Sequence, residues 1–289
     1  MSIWQTTRFA IDLARPRVMG IVNLTPDSFS DGTPGLTAAQ ARARCEALLA
    51  EGADLLDLGA ESSRPGAEAV AADAELARLL PVLDGALRLG CPVSVDTSKP
   101  EVMRAVLDRG ADVVNDIAAL RAPGALEAVA GHPACGVCLM HMRGSPRSMQ
   151  AEADYDDVVA EVRAFLAGRV EAARAAGIGL ERIVVDPGIG FAKSPAHNLA
   201  LLARQRELLL PGVALMVGWS RKSTLARLAG LAPVADRQRR GAERERLAAA
   251  SVAAAVLAVE RGARVVRVHD VAATVAALAV WQAAGGGRG

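Results

Sequence analysis

The chain has 289 residues, 52% of them hydrophobic but only 3% aromatic, and a formal net charge of +1 at pH 7. That length can bury a large core in one domain. The near-zero charge leaves no basic field for a nucleic-acid backbone, and so few aromatic rings give no platform for stacked bases, so substrates must be recognised locally.

Met1–Ala10 carries Arg8 and no long apolar stretch, so it is not read as a secretory signal. The apolar run Val18–Val22 stops at Asn23. A long Pro/Gly-marked loop follows, and helical spacing resumes at about 37–51. Leu55–Leu58 leads into Gly59, Glu61, Ser63 and Arg64, before a helix at about 73–89. Val93–Val95 stops at Asp96, with a helix at about 99–110. Val113–Val114 stops at Asn115 and Asp116, with a helix at about 122–131. Val137–Met140 stops at His141, with a helix at about 155–176. Ile183–Val185 stops at Asp186, with a helix at about 196–210. Val213–Val217 leads into Gly218, Ser220 and Lys222, with helices at about 222–229 and 242–262. Val265–Val268, interrupted by Arg267, stops at His269, and a helix near 270–283 closes the chain.

Strand and helix thus alternate eight times, with polar chemistry after each strand. This predicts an α/β fold, a single-domain (β/α)8 TIM barrel over residues 1–284, followed by a disordered tail at 285–289. The active site is expected at the C-terminal ends of the strands. Gly52, Gly90, Gly110, Gly177 and Gly262 are expected as helix C-terminal caps on the opposite face. Cys135 and Cys138 make a CxxC spacing, but no second pair or paired histidines follow, so ordinary reduced thiols are expected. The longest apolar run, Leu247–Val259, is shorter than the ~20 residues that span a bilayer. A cytoplasmic location without a membrane partner is expected.

The strand-end segments are MGIVNLTPDSFSDG (19–32), DLGAESSRPGA (57–67), VSVDTSKP (93–100), NDI (115–117), CLMHMRGSPRSMQ (138–150), DPGIGFAK (186–193), VGWSRKS (217–223) and RVHD (267–270). In this order and spacing the set resembles bacterial dihydropteroate synthase over roughly residues 17–283. The resemblance implies condensation of 6-hydroxymethyl-7,8-dihydropterin diphosphate with 4-aminobenzoate, giving 7,8-dihydropteroate and pyrophosphate.

A buried pterin needs matched donors and acceptors, because each unpaired one costs about 1–3 kcal/mol. Asp96, Asn115, Asp186 and Lys222 end strands or enter the turns that follow, and the resemblance places them at the pterin together with Met140, Gly218 and Arg267. Arg267 matches an arginine that stacks over the ring, a role suited to a planar guanidinium. No GxxxxGK[ST] phosphate loop is present. The resemblance instead gives the diphosphate to Asn23, Arg267 and His269, with Asn23 as a ligand of Mg²⁺, a cation that needs few protein ligands. It gives aminobenzoate to Thr25, Phe29, Ser63, Arg64, Pro65, Phe191, Lys222 and Ser223. C–O cleavage ahead of amine attack is expected, with Asp27 and Asp96 stabilising the pterin cation beside Lys222, Arg267 and His269. Ser63, Ile189, Ala192 and Trp219 depart from common family choices, changes that bear on aminobenzoate and sulfonamide affinity more than on the reaction. The family also implies a homodimer. Two competing readings are a methyltetrahydrofolate-dependent methyltransferase barrel, which would not need Lys222–Ser223, RVHD or the TPDSFSDG loop, and a catalytically silent pterin-binding paralogue, against which the intact Asn23, Asp96, Asn115, Asp186, Lys222, Arg267 and His269 argue.

Overall fold

The computed structural model describes residues 3–25, 37–64, 66–232, 234 and 236–287. The chain opens with an antiparallel hairpin, β1 (Ile3–Gln5) and β2 (Ala10–Asp12). The barrel strands are β3 (Arg17–Asn23), β4 (Leu55–Gly59), β5 (Val93–Asp96), β6 (Val113–Asp116), β7 (Gly136–Met140), β8 (Ile183–Asp186), β9 (Ala214–Val217) and β10 (Ala263–Val268). They pair in sequence order, all parallel, and β10 closes on both β3 and β9. The outer helices are α1 (Ala38–Ala50), α2 (Ala72–Ala86), α3 (Pro100–Asp108), α4 (Ala125–Ala130), α5 (Val158–Ala175), α6 (Pro195–Ala203), α7 (Ser223–Leu228), α8 (Gly241–Glu260) and α9 (Val271–Ala283). The eightfold alternation is therefore a closed barrel, as the sequence predicted.

Period-two alternation sorts each strand into two cores. Val18, Val22, Leu56, Leu58, Val93, Val95, Val137, Leu139, Val266 and Val268 pack outward in the larger cluster beneath the helices. Met19, Leu55, Val113, Cys138, Val184, Met216 and Val265 form a separate cluster inside the barrel. The hairpin joins this inner cluster through Trp4 and Ile11 and so plugs the barrel floor. Trp4 is fully buried, and its indole Nε1–H donates to the Arg182 carbonyl at 2.9 Å. This plug was not expected, because two three-residue strands are too short to show a period.

The glycines expected as caps all adopt positive φ: Gly52, Gly90, Gly110, Gly177 and Gly262. At Gly110 and Gly177 the reason is a Schellman turn. Gly110 N–H donates to Leu107 O while Ala111 N–H donates to Val106 O, which aims the chain into β6. Gly177 and Ile178 do the same with Arg174 and Ala173 ahead of β8.

Some extents differ from expectation. The helix read at 196–210 stops at Ala203 and continues as a 3₁₀ turn, Gln205–Leu208. The buried Gln205 side chain donates to Ala258 O at 2.6 Å, which ties this turn to α8 instead of extending the helix. The helix read at 122–131 begins only at Ala125, because Gly124 sits at φ 86°. Gly285–Gly287, placed in the tail by the sequence, follow α9 as turns in which Gly285 N–H donates to Gln282 O and Gly286 N–H to Trp281 O. All four cysteines are free and buried; Cys138 belongs to the inner barrel cluster, and Arg182 Nη2 donates to Cys135 Sγ at 3.2 Å. Among the described residues no helix is long and apolar enough to cross a membrane.

Candidate active site

The inward face changes character one step above the apolar floor. Two residues beyond Leu55, Val113, Cys138, Val184, Met216 and Val265 stand Asp57, Asn115, Met140, Asp186, Gly218 and Arg267. Two beyond Ser94 stands Asp96, and four beyond Met19 stands Asn23. One strand repeat therefore lifts the interior from an apolar layer to a polar one at the C-terminal mouth.

Arg267 is the hub of that layer. Its Nε donates to Asp57 Oδ2 at 2.6 Å and its Nη2 to Asp96 Oδ2 at 2.9 Å. Asn115 Nδ2 donates to the same Asp57 oxygen at 3.3 Å. Burial works against the Arg267 charge, but Asp57 and Asp96 outweigh it and hold the guanidinium above its ordinary value. Burial pushes the Asp96 carboxyl up to about 7; Arg267 opposes this, and Asp57 and Asp116 add to it. Asp57 Oδ1 is buried without a hydrogen-bond partner among the described residues. The sequence reading did not single out Asp57, because it lies inside the run Leu55–Leu58. Its alternation with Leu55 was the signal that it faces inward.

Asp186 is 4% exposed, and burial raises its pKa. Its Oδ1 accepts the Gly188 N–H at 2.7 Å and fixes the turn after β8. Gly188 is required there: its φ is 68°, and a Cβ would lie 1.9 Å from the His141 carbonyl oxygen. The same turn presents Phe191. Lys222 Nζ lies 4.2 Å from the centroid of the Phe191 ring, a cation–π contact. Burial lowers the Lys222 pKa to about 8; Asp186 opposes the shift and Arg267 adds to it.

The Phe191 turn rests on a buried amine. Lys193 Nζ donates to Phe191 O at 2.9 Å and meets His141 Nδ1 at 2.9 Å. Burial brings Lys193 down to about 7, against the pull of Asp186, and burial with Lys193 holds His141 far below its ordinary value. His141 thus packs and hydrogen-bonds at the barrel mouth. His197 belongs to the capping box of α6 with Ser194, and His132 Nδ1 accepts from Cys135 N–H in a loop.

The second long loop is anchored by ions. Lys99 Nζ donates to Glu61 Oε2 at 2.6 Å and to the buried Glu75 Oε2 at 2.7 Å. Glu61 Oε1 also accepts the Val70 N–H at 2.7 Å, closing the loop that carries Ser63 and Arg64. Arg64 is exposed, yet its charge lies near both Lys222 and His269 and lowers their pKa values. At the NDI segment, Asp116 is structural. Its carboxylate accepts from Ala118 and Leu120 N–H at 2.7 Å each, across a turn where Ala119 and Leu120 hold φ of 54° and 56°.

The structure therefore gathers Asp96, Asn115, Met140, Asp186, Gly218, Lys222, Arg267, Phe191 and His269 around one mouth. Asn23 ends β3 opposite Gly59 at the same end of the barrel, and Thr25 follows it. Ser223 is the exposed first residue of α7, with Lys222 as the N-cap. Asp27, Phe29 and Pro65 lie outside the described residues. Among the described residues no group of three or more His, Cys, Asp or Glu side chains is arranged to hold a metal.

A mouth lined by alternating donors and acceptors, with one cation shared between a ring wall and a carboxylate, defines an enzyme that seats a flat polar heterocycle. The sequence profile of the pterin-binding enzymes matches residues 19–269. A dihydropteroate synthase of Neisseria meningitidis serogroup B is 48% identical over 288 residues, 98% of each chain. The dihydropteroate synthase of Xanthomonas albilineans, solved with 4-aminobenzoic acid, superposes with a TM-score of 0.87 at 49% identity over 98% of each chain. That of Burkholderia cenocepacia, solved with 7,8-dihydropteroate, gives 0.86 at 48% identity, covering 98% of this chain and 96% of its own. The chain belongs to the dihydropteroate synthase family and is a transferase.

Proposed function

We propose a division of labour for dihydropteroate synthesis in this cup. The reaction joins 6-hydroxymethyl-7,8-dihydropterin diphosphate to 4-aminobenzoate and releases pyrophosphate. The observation that carries the assignment of parts is the shared network Asn115–Asp57–Arg267–Asp96, with Lys222 placed between Asp186 and Phe191.

Asp186, Asp96 and Asn115 take the amino and ring N–H groups of the pterin, and Lys222 donates to its ring acceptors. Each is buried or half-buried, so an empty site leaves polar groups with water or with nothing, and the ligand satisfies them. Arg267, held in place by two carboxylates, lies over the ring. A Cβ built on Gly218 meets no atom within 4 Å, so protein packing does not demand that glycine, which leaves room for a flat ligand to approach. Met140, 5% exposed and packed with Met142 and Met149, pads the pocket wall.

Asn23, Arg267 and His269 hold the diphosphate. Magnesium would fit this donor set, since it needs few protein ligands and the Asn23 side-chain carbonyl would hold it beside the diphosphate. When bound with the diphosphate it offsets charge on the departing oxygen. Phe191 and Lys222 form one wall for aminobenzoate, and Thr25, Ser63, Arg64 and Ser223 are assigned to the same substrate, as are Phe29 and Pro65, which lie outside the described residues.

The C–O bond to the diphosphate breaks first, and pyrophosphate leaves with the bonding pair. The resulting cation is spread over the dihydropterin and is stabilised by Asp96 and by Asp27 of the first loop. The neutral aryl amine then supplies its lone pair, and the new C–N bond forms with loss of one proton. No strong general base is required, because an aryl amine is already unprotonated near neutral pH.

Exposed apolar side chains on the α7–α9 face, Leu228, Leu257 and Val280, support a homodimer through these helices. Four unpaired buried thiols support a reducing, cytoplasmic setting. The test is pyrophosphate release with both substrates and Mg²⁺. Turnover that requires both substrates is expected; silence with intact pterin binding would favour a non-catalytic paralogue.

A further inference from the structure

We propose that Ser220 sets the tautomer of His269, placing its ring hydrogen on Nε2 so that the imidazole meets the diphosphate as a neutral donor. The proposal rests on the assignment of His269 to the diphosphate, made above.

Adjacent strands bring the two residues together. β9 pairs with β10, with Val217 opposite Val266, so the turn carrying Ser220 lies beside the turn carrying His269. Two bonds join them. The His269 backbone N–H donates to Ser220 Oγ at 3.1 Å, and Ser220 Oγ lies 3.0 Å from His269 Nδ1. The neighbouring residues form a second rung. Arg221 donates to both oxygens of Asp270, at 2.6 and 3.0 Å, and its backbone N–H donates to Ser251 Oγ at 2.9 Å. Arg221 holds a φ of 58°, a conformation costly for a side chain of its size, and these bonds keep it there. The Ser220–His269 geometry is therefore fixed from both flanks.

The direction of the Oγ–Nδ1 bond follows from donor counting. A serine hydroxyl has one hydrogen and two lone pairs. One lone pair is taken by the His269 N–H. The hydroxyl is buried, 7% exposed, and among the described residues His269 Nδ1 is the acceptor recorded for its hydrogen. Ser220 then donates to Nδ1, Nδ1 is unprotonated, and the neutral ring carries its hydrogen on Nε2. Burial, together with Arg221, Arg267, Arg64 and Lys222, pushes the His269 pKa well below its ordinary value, in the same direction as an unprotonated Nδ1. Those same four cations make the surroundings of His269 an anion site.

The tautomer decides the sign of the contact. With hydrogen on Nε2, the ring donates to a phosphate oxygen. With hydrogen on Nδ1, Nε2 would present a lone pair to that oxygen and repel it. A neutral donor also aids the leaving group without adding another charge beside Arg267 and Lys222.

The test is ¹H–¹⁵N multiple-bond correlation spectroscopy on histidine-labelled enzyme. The chain has four histidines, so His269→Gln assigns the resonance by its disappearance. The expected wild-type spectrum shows His269 with a pyridine-like Nδ1 and a protonated Nε2. Ser220→Ala should lose that preference, and Ser220→Thr should restore it. In kinetics Ser220→Ala should lower kcat/KM for the pterin diphosphate about tenfold, the loss of one hydrogen bond, with the aminobenzoate KM unmoved and Ser220→Thr recovering most of the loss. A wild-type ring protonated on Nδ1, or a tautomer unmoved in Ser220→Ala, overturns the proposal. The expected tautomer with unchanged pterin-diphosphate kinetics in Ser220→Ala refutes instead the placement of His269 at the diphosphate.

Discussion

Asp57→Asn separates the electrostatics of the cup from its shape. The amide is isosteric and can still accept the Arg267 Nε–H bond, but the charge is gone. In the wild type, burial lifts Asp96 to about 7, Arg267 lowers it and Asp57 lifts it further. A pterin N–H needs the ionised carboxylate. Below pH 7, therefore, each further unit should weaken pterin binding by about tenfold, the equivalent of one pKa unit. Above pH 8 the limb belongs to Lys222, whose pKa burial lowers to about 8 and whose cation donates to the ring acceptors. Asp57→Asn removes a neighbour that lifts Asp96 and leaves Arg267 with one carboxylate fewer. Both changes favour ionised Asp96, so the acid limb should move to lower pH while the alkaline limb stays. The sign for stability is opposite to that for binding. Because the folded pKa of Asp96 is raised, its stabilising contribution is fully present below the unfolded value and is lost as pH rises through 7. The variant also breaks one half of a buried ion pair, a change that costs about 3–5 kcal/mol when nothing else holds the partner. Asp96 still holds Arg267, so a loss near the lower figure is expected. Calorimetry with a 6-hydroxymethylpterin lacking the diphosphate keeps phosphate titration out of the measurement, and two buffers of different ionisation enthalpy count the proton released. Wild-type affinity that is flat from pH 5 to 7, or an acid limb at the same pH in Asp57→Asn, would refute this account.

Lys222→Ala should weaken binding of the same pterin as well as turnover, since Lys222 serves both the pterin and the Phe191 wall; unchanged calorimetric affinity would remove its assigned role. Arg64→Ala should raise the aminobenzoate KM at least tenfold, on the scale of a lost charge-assisted contact, and leave pterin affinity near the wild-type value; equal losses for both substrates would contradict the loop assignment. Trp4→Ala should cost about 3–5 kcal/mol in chemical denaturation through the cavity left in the barrel floor, without moving either KM at temperatures where the variant is folded.

What the sequence disclosed and what it hid divide along the strand period. Asp96, Asn115, Asp186 and Lys222 were visible because each breaks or follows an apolar run at its end. Asp57 sits inside its run and Ser220 was visible only as one of several polar residues after a strand, so the role of neither could be read from the pattern. Both act through other residues, Arg267 and His269, and such roles depend on which strands are neighbours. The closure of β10 on β3 and β9 supplies that, and no local spacing encodes it. The ion triad of Lys99, Glu61 and Glu75 was hidden for the same reason: its members come from two loops and a helix. The floor hairpin was missed on length, and the broken α6 because the competing bond from Gln205 is tertiary.

The two inner layers need each other. The upper layer places Asp57, Asp96, Asn115 and Asp186 in or near the interior, and one Asp57 oxygen has no hydrogen-bond partner among the described residues. Such a layer destabilises an empty barrel, since each uncompensated buried polar atom costs about 1–3 kcal/mol. The lower layer offsets this with apolar area: Trp4, Met19, Leu55, Val113, Val184, Met216 and Val265 are all nearly inaccessible to solvent. At about 1.5–3 kcal/mol for each fully buried large apolar side chain, a handful of floor residues balances several unsatisfied groups above. Filling the floor with the N-terminal hairpin therefore does more than seal the barrel. It allows the mouth to keep acceptors and a cation unsatisfied until a pterin supplies their partners. A bound pterin analogue should therefore stabilise a barrel with a weakened floor by the same amount as the wild type, because the gain is set by mass action at an unchanged mouth. Equal analogue-induced stabilisation of Trp4→Ala and wild type at matched saturation is the outcome this independence requires.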